Sequence, residues 1–248
     1  MIMPSLEVDY YNSKKPYVSV ENSTELSVVM PVFNEVKTVI TVIDRVLSLD
    51  LDLDLIVVDD GSTDGTRDLL SSYKKDRVQI VFHEKNMGKG AAVRTGFHHA
   101  GGEIVTIQDA DLELDPLGIP ALLEPIKEGQ ADVVYGSRFM RGWHHRTWVN
   151  AAANWFLSGL TNVLYGTQIK DMEACYKVFR REHLNNFTLK SNRFDFEPEI
   201  TAKFVKLGLK IIELPITYRP REFEEGKKIH WKDGFQAIYA LFKYRILD

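Results

Sequence analysis

Several features that would assign a protein to a common class are scarce or missing in this chain of 248 residues. Cys175 is the single cysteine, which excludes an intramolecular disulfide and favours a reducing compartment. The sequence contains no run of about eighteen apolar residues, so we predict no transmembrane helix. Residues 1–11 lack the basic and apolar parts of a secretory signal. The formal net charge is −4 and the Lys and Arg residues are dispersed, so we expect no nucleic-acid binding. These absences predict a cytoplasmic protein that meets a membrane only at its surface.

Linker-like composition is also missing, because no Gly/Ser-rich or Pro-rich stretch interrupts residues 26–220. We therefore predict a single domain over residues 26–231. Residues 1–25 are polar without a sustained period, and we interpret them as an N-terminal arm. Residues 232–248 are predicted to form a C-terminal amphipathic helix, which either packs on the domain or lies on a membrane surface.

Apolar runs rich in β-branched residues alternate with segments of helical period from Leu26 onward. Such runs are typical of strands buried on both faces, and the spacers are typical of crossover helices. Strands are predicted near residues 26–30, 55–58, 78–82, 103–108 and 133–136. The pattern predicts an α/β fold with a doubly wound, mostly parallel sheet and flanking helices.

Polar loops follow four of these predicted strands, at residues 31–35, 59–66, 86–90 and 109–113. Ligands of doubly wound sheets bind beyond the carboxyl ends of the strands, so we expect the loops to form one site. Asp109 and Asp111 are spaced to hold a hydrated divalent cation that also binds phosphate oxygens. A turn or helix cap is the alternative for an isolated Asp-x-Asp.

Two further loops suggest nucleotide binding. Asp59 or Asp60 is placed to accept hydrogen bonds from a nucleobase, although an ordinary strand-turn-helix connection explains the residues that follow. In Gly88-Lys89-Gly90 the glycines allow backbone to approach a ligand and Lys89 adds a cation at a helix start. A plain loop lysine is the alternative. The Walker spacing is missing, which disfavours ATP hydrolysis.

Basic residues flank the second half of the chain. Arg138, Arg141 and Arg146 precede an apolar segment of helical period, a pattern that suits an anionic headgroup on an apolar tail. A core helix beside a solvated basic loop is the alternative. Residues 219–228 are either a solvated charged loop or a lid that closes cations over a diphosphate.

Taken in order, these motifs resemble the family 2 glycosyltransferases with a GT-A fold, and within them the dolichol- or polyprenol-phosphate mannose or glucose synthases. The resemblance extends from about Leu26 to Trp231. The motifs that carry it are Pro31-x-x-Asn34-Glu35, Asp59-Asp60-Gly61-Ser62-x-Asp64-Gly65-Thr66, Asn86-x-Gly88-Lys89-Gly90, Asp109-Ala110-Asp111-Leu112, Gly136-Ser137-Arg138 and the segment Arg221 to Lys228.

The resemblance implies a role for each matching residue. The nucleotide-binding set is Pro31, Phe33, Glu35, Asp60, Lys89 and Ala110. Asp109 and Asp111 are implied to hold Mg²⁺ or Mn²⁺, and Glu113 to lie near the donor sugar. The acceptor phosphate is implied to contact Arg138, Arg146, Asn150 and Lys228, while Arg221 and Lys228 belong to the lid. Asp109, Asp111, Arg138 and Arg221 are the residues expected to act in catalysis.

Two departures from that family bear on the sugar. Glu113 stands where mannose synthases often have Gln, and Asp171 to Lys177 differs from the Thr-Ser-Gly-Phe-Arg type of motif. UDP- or GDP-hexoses are the expected donors, with UDP favoured. Many relatives carry C-terminal membrane helices, so this chain resembles catalytic-only members that work at the cytoplasmic face of a membrane, alone or with a membrane protein partner.

The predicted activity is metal-dependent, inverting transfer of a hexose from a nucleotide sugar to a polyprenyl phosphate. That acceptor is already ionised near neutral pH, so it needs no general base. One alternative is a soluble hydroxyl acceptor, for which Glu173, Asp195 or Glu197 would be the base. The other is a non-catalytic nucleotide-sugar-binding subunit.

Overall fold

The computed structural model describes residues 24–140, 148–220 and 231–247, so the predicted arm lies outside it except for its last two residues. Strands and helices alternate along these ranges. They are β1 Leu26–Val32, α1 Val39–Leu47, β2 Leu53–Asp59, α2 Thr66–Ser72, β3 Val78–Phe82, α3 Lys89–His99, β4 Ile104–Ile107, α4 Ile119–Lys127, β5 Val133–Ser137, α5 Trp148–Tyr165, β6 Lys177–Arg180, α6 Phe196–Lys206, β7 Ile211–Pro215 and α7 Trp231–Ile246. Short 3-10 turns span Pro116–Gly118 and Arg181–Asn186.

The strands form one sheet in the order β3-β2-β1-β4-β6-β5-β7. Strand β6 runs antiparallel to both β4 and β5, while the other neighbouring pairs are parallel. The predicted α/β fold with a mostly parallel sheet is therefore confirmed. Strands β6 and β7 were not predicted, because a four-residue strand such as β6 has too little sequence pattern of its own.

Helices cover both faces of the sheet, as its buried central strands require. Helix α1 buries Val39, Val42, Ile43 and Val46 at helical spacing. Helix α3 approaches β1 so closely that a Cβ on Gly96 would lie 2.1 Å from Val29 Cγ1. On the same side, the ring of Phe97 packs edge-on to Phe179, with the centroids 5.7 Å apart.

The parallel arrangement determines where the polar loops meet. Strands β1, β2, β3 and β4 run in the same direction, so their carboxyl ends lie along one edge. The four predicted loops begin at that edge, and this confirms their common location.

The predicted C-terminal helix is present as α7 and packs on α5 and α6. One face of this helix therefore packs on the domain, and the contact with a membrane surface stays a prediction. Within the described ranges no helix has both the length and the apolar character needed to cross a membrane.

Candidate active site

Hydrogen bonds tie the loop after β1 to the loop after β2. Asn34 has a φ of 52°, and its side-chain Oδ1 accepts a hydrogen bond from the Thr63 backbone at 2.8 Å. The Asn34 backbone N–H donates to Ser62 Oγ at 2.9 Å. Glu35 is 7% exposed, and its backbone N–H donates to Thr66 Oγ1 at 2.9 Å. The two predicted nucleotide-binding loops therefore form one connected unit.

Asp60 is buried and accepts hydrogen bonds from the loop after β3. Its carboxylate oxygens lie 2.9 Å from the Met87 backbone N and 2.7 Å from the Gly88 backbone N. His83 Nδ1 lies 2.8 Å from the same carboxylate. Asp59, which is fully buried, lies 3.2 Å from Arg67 Nη1. Both acids thus engage the protein, and the predicted contact of Asp60 with the nucleotide remains a prediction beside this positioning role.

The glycines around Lys89 face another part of the chain. A Cβ on Gly88, whose φ is +99°, would lie 2.3 Å from the carbonyl oxygen of Asn192. A Cβ on Gly90 would lie 2.6 Å from the carbonyl oxygen of Ser191. From the sequence pattern, these glycines are predicted to allow the approach of a ligand. In the structure the segment at residues 191–193 makes the close approach, so packing within the protein already requires glycine here.

Lys89 joins the third and fourth loops. Its Nζ lies 2.9 Å from Asp109 Oδ1 and 3.5 Å from Glu197 Oε1. Burial alone would lower the pKa of Lys89, but these carboxylates outweigh it and hold that pKa well above its ordinary value. Burial alone would likewise raise the pKa of Asp109, yet Lys89 keeps it below its ordinary value. Both groups are therefore charged at neutral pH.

A second lysine extends this ion pair inward. Lys177 is fully buried and donates to the carboxylate of Glu197 and to two backbone carbonyls of the preceding loop. Asp109, Lys89, Glu197 and Lys177 thus form an ion-pair chain of alternating sign. Glu197 was considered only as an alternative base. Its place at the start of α6, opposite Lys177, depends on contacts that no local motif shows.

The loop after β4 is held from both sides. The Glu113 backbone N–H donates to Asp111 Oδ1 at 3.1 Å, and Leu112 has a φ of 60°. Tyr218 donates its hydroxyl to Glu113 Oε2 at 2.8 Å, and the Arg219 backbone donates to the Glu113 carbonyl at 2.8 Å. The predicted donor-sugar residue therefore contacts the segment that leads into the predicted lid.

Asp109 and Asp111 supply the hard carboxylate oxygens that Mg²⁺ or Mn²⁺ prefers. Among the described residues, no group of three or more His, Cys, Asp or Glu side chains is placed to hold a metal. Mg²⁺ commonly takes only one or two carboxylates and completes its shell with substrate phosphates and water. The donor set therefore fits a divalent cation that binds together with a diphosphate.

Arg138 is anchored by Asp171, a fully buried carboxylate that no sequence motif marks as its partner. Its Nε lies 2.8 Å from Asp171 Oδ2 and its Nη2 lies 2.6 Å from Asp171 Oδ1. The same Nη2 lies 3.1 Å from the Glu173 carbonyl and 3.4 Å from Asn154 Oδ1. Burial alone would lower the pKa of Arg138, but the Asp171 carboxylate outweighs this effect and holds that pKa above its ordinary value. The guanidinium therefore stays charged. Its predicted contact with the acceptor phosphate remains a prediction.

Two side chains nearby, the half-buried Glu173 and the buried Cys175, have raised pKa values. Burial, reinforced by Glu197, raises the pKa of Glu173 to about 7. Burial and Asp109 raise the pKa of the Cys175 thiol well above its ordinary value. These shifts support packing rather than nucleophilic attack for Cys175, while Glu173 has the pKa of a general base.

Some of the remaining predicted site residues lie at the edge of the sheet, and others lie outside the residues that the structure describes. Pro31 lies in β1, Phe33 directly follows it, and Ala110 is buried between the two acids. Asn150 lies in the first turns of α5, with its side chain outside the description. Arg146, Arg221 and Lys228 also lie outside the described residues.

One known family and several known proteins are similar to most of this chain. Residues 27–188 match the family described as glycosyl transferase family 2. The chain is 31% identical over 231 residues to polyprenol monophosphomannose synthase of Mycolicibacterium smegmatis, covering 87% of this chain and 84% of that protein. It is 29% identical over 209 residues to undecaprenyl-phosphate mannosyltransferase of Micrococcus luteus, covering 80% and 85% of the two chains.

A solved structure shares the architecture. Glucosyl-3-phosphoglycerate synthase from Mycobacterium tuberculosis, in complex with Mn²⁺, UDP-glucose and phosphoglyceric acid, matches with a TM-score of 0.67. The two are 25% identical, and the match covers 90% of this chain and 80% of that chain.

Proposed function

Because the chain belongs to glycosyl transferase family 2 and is a glycosyltransferase, we propose that it transfers a hexose from a nucleotide sugar to a polyprenyl phosphate. The family and the GT-A fold predicted from the motifs are confirmed. The acceptor is proposed because relatives that match most of the chain are named for polyprenyl-phosphate substrates. The single structural observation that carries the proposal is the meeting of Lys89 with Asp109, beside Asp111, at the carboxyl edge of the sheet.

The charges at this edge suit a leaving nucleoside diphosphate. When bound through Asp109 and Asp111, Mg²⁺ or Mn²⁺ supplies positive charge that stabilises that leaving group. Lys89 adds a second cation on a neighbouring loop, and its carboxylate partners keep it protonated. Arg221 and Lys228 are proposed to close over the same phosphates.

The acceptor explains why no base is needed. An oxygen of the polyprenyl phosphate attacks the anomeric carbon, and the bond from that carbon to the nucleoside diphosphate breaks. No proton leaves the acceptor, because its phosphate is already ionised. A single in-line displacement inverts the anomeric configuration. Arg138, Arg146 and Asn150 are proposed to hold the acceptor phosphate. The enzyme is proposed to work at the cytoplasmic face of a membrane, because its proposed acceptor is a lipid.

One observation favours a second candidate, a soluble hydroxyl acceptor. Such an acceptor needs a general base, and the pKa of about 7 at Glu173 suits that role. Glu197 is less suitable because it is paired with Lys177 and Lys89. The solved structure described above also contains a soluble acid, phosphoglyceric acid.

A donor and acceptor panel tests these candidates. Purified protein with Mn²⁺ or Mg²⁺ is incubated with UDP- and GDP-hexoses, with a short-chain polyprenyl phosphate, with phosphoglyceric acid or with neither. Glycolipid from one donor supports the proposal and identifies the sugar. Glycosylation of the soluble acid alone supports the second candidate. Intact donor in every reaction contradicts catalysis and favours a nucleotide-sugar-binding subunit.

A further inference from the structure

Helix α7 carries apolar side chains on two opposite faces. Its buried face consists of Ala237, Ala240, Leu241 and Tyr244. Its exposed face, called the α7 stripe below, consists of Phe235, Tyr239, Phe242 and Ile246, which are 67%, 67%, 44% and 76% exposed. At about 100° per residue, the four exposed side chains fall within an arc of about 60°. A solvated helix face normally carries polar residues, so the exposed Tyr239, Phe242 and Ile246 form an unusually apolar surface.

Cations flank the α7 stripe on both sides. Lys243 and Arg245 lie about 70° to 90° from the centre of the stripe, in opposite directions around the helix. Residues 234–247 contain no Asp or Glu. An aromatic stripe between two cationic edges is the arrangement of helices that lie in the plane of an anionic membrane surface.

Helix α5, which packs against α7, shows a similar exposed apolar surface. No Asp, Glu, Lys or Arg occurs from Trp148 to Tyr165. Trp155, Phe156 and Val163 are 76%, 53% and 83% exposed. The Tyr165 hydroxyl donates to the Leu241 carbonyl at 2.7 Å and so joins the two helices.

The opposite side of α5 reaches the candidate active site. Asn154 Oδ1 lies 3.4 Å from Arg138 Nη2, and Ser158 Oγ accepts a hydrogen bond from the Met172 backbone at 3.0 Å. Both residues are buried, whereas Phe156 is exposed. Helix α5 therefore lies between Arg138, the predicted acceptor-phosphate residue, and the exposed apolar surface that contains Phe156.

We propose that the α7 stripe docks this enzyme on the surface of an anionic phospholipid bilayer, with Lys243 and Arg245 at the headgroups. The inference rests on the proposed function in one respect, since a polyprenyl phosphate acceptor is delivered from a membrane. Charge complementarity favours a bilayer over a second copy of the chain. Over residues 234–247, the same face of a second copy brings no carboxylate to these cations, whereas anionic headgroups carry negative charge.

Vesicle sedimentation tests the docking. The full chain is mixed with vesicles of phosphatidylcholine, or of phosphatidylcholine containing phosphatidylglycerol. The double substitution Phe235→Gln and Phe242→Gln should lower the partition coefficient at least about tenfold. Lys243→Gln with Arg245→Gln should lower it about fivefold per cation, on the anionic vesicles only. Leu117→Gln is the matched control, because Leu117 is 65% exposed outside the stripe, and it should leave binding unchanged.

Other outcomes overturn the proposal. If wild type does not bind anionic vesicles, or if Leu117→Gln weakens binding as much as the stripe variant, the α7 stripe is not a bilayer contact. If light scattering shows a wild-type dimer that the stripe variant converts to monomer, the stripe contacts a second copy instead. Unfolding curves that match wild type verify that the variants fold.

Transfer to a water-soluble short-chain polyprenyl phosphate separates this inference from the proposed function. The stripe variant should keep that transfer at the wild-type rate while it loses vesicle binding. If wild type transfers sugar but binds no vesicles, only the docking fails. If it binds vesicles but transfers nothing to any polyprenyl phosphate, only the proposed function fails.

Discussion

The two sides of the candidate site use their carboxylates differently. On the side of β1 and β2, Asp60 accepts hydrogen bonds from backbone amides of the loop that carries Gly88. On the side of β4 and α6, Asp109 and Glu197 share Lys89, and Glu197 also pairs with Lys177. The first side therefore uses negative charge to shape a loop. The second side pairs its carboxylates with lysines. One of these lysines, Lys89, binds carboxylate oxygens, which carry negative charge as phosphate oxygens do.

This difference has a consequence for substitutions. Removing a carboxylate from the first side frees backbone amides, which costs hydrogen bonds. Removing a carboxylate from the second side leaves a lysine without its counter-charge. The free energy of unfolding falls more when that lysine is buried.

Glu197→Gln should lower the free energy of unfolding by about 3–5 kcal/mol, because it leaves the buried Lys177 ammonium without its counter-charge. Chemical denaturation measures the change. The exposed Glu182 supplies the control, and Glu182→Gln should have little effect. Adding Lys177→Met to Glu197→Gln should restore much of the lost stability. If the single variant is as stable as wild type, the ion-pair chain is not a structural element.

Asp111→Asn should reduce sugar transfer at least about hundredfold, because it removes one of the two carboxylates proposed to hold the metal at the leaving diphosphate. Its stability should remain near that of wild type, since Asn retains the oxygen that accepts from the Glu113 backbone. Steady-state rates over a range of Mn²⁺ concentrations measure the effect. Near-normal turnover would contradict the metal role of Asp111.

Asp60→Asn should lower the free energy of unfolding by about 2–3 kcal/mol, because the amide cannot accept from both Met87 and Gly88 as the carboxylate does. The nucleotide dissociation constant, measured by calorimetry, should rise as the loop loses its position. Asp52→Asn, at an exposed acid, is the control. Weaker nucleotide binding without a loss of stability would favour direct contact with the nucleobase.

Gly88→Ala should destabilise the protein by about 2 kcal/mol more than Gly65→Ala. Both glycines precede helices with nearly equal φ values, +99° and +97°, but ψ is 159° at Gly88 and −6° at Gly65, so Gly88 also has the backbone conformation less open to other residues. At Gly65 the nearest atom to an added Cβ is a side-chain carbon at 3.7 Å, whereas at Gly88 it is the Asn192 carbonyl oxygen at 2.3 Å. Thermal unfolding compares them. Equal losses would contradict the prediction that the close approach of residues 191–193 adds to the cost at Gly88.

Glu173 should make stability depend on pH in a direction set by its pKa of about 7. The folded state holds this proton more tightly than the unfolded state. The contribution is therefore complete below the unfolded pKa and is lost as pH rises through about 7, with a slope of at most about 1.4 kcal/mol per pH unit. Glu173→Gln should flatten the curve between pH 4.5 and about pH 7, the range between the ordinary and the raised pKa of this carboxyl. An unchanged curve would contradict the raised pKa of Glu173.

Several parts of the site were predictable from local pattern. The apolar runs predicted β1 to β5, and the polar residues after them predicted a common edge. Lys89 and Asp109 were placed there separately, and the structure shows their contact. Asp171 and Glu197 were not predicted as partners of Arg138 and Lys89, because each pairing joins elements that are distant in sequence.

The sequence by itself determined the alternation of strands and helices, the polar edge and the family, because hydrophobic period and motif order are local properties. Only the tertiary structure decided that β6 enters the sheet antiparallel between β4 and β5. It also decided that Gly88 faces residue 192, and that α7 buries one apolar face while Phe235 and Ile246 remain exposed on the other. The physical reason is common to all three. A period shows which residues share a face, but only packing determines which faces find a partner and which charges meet.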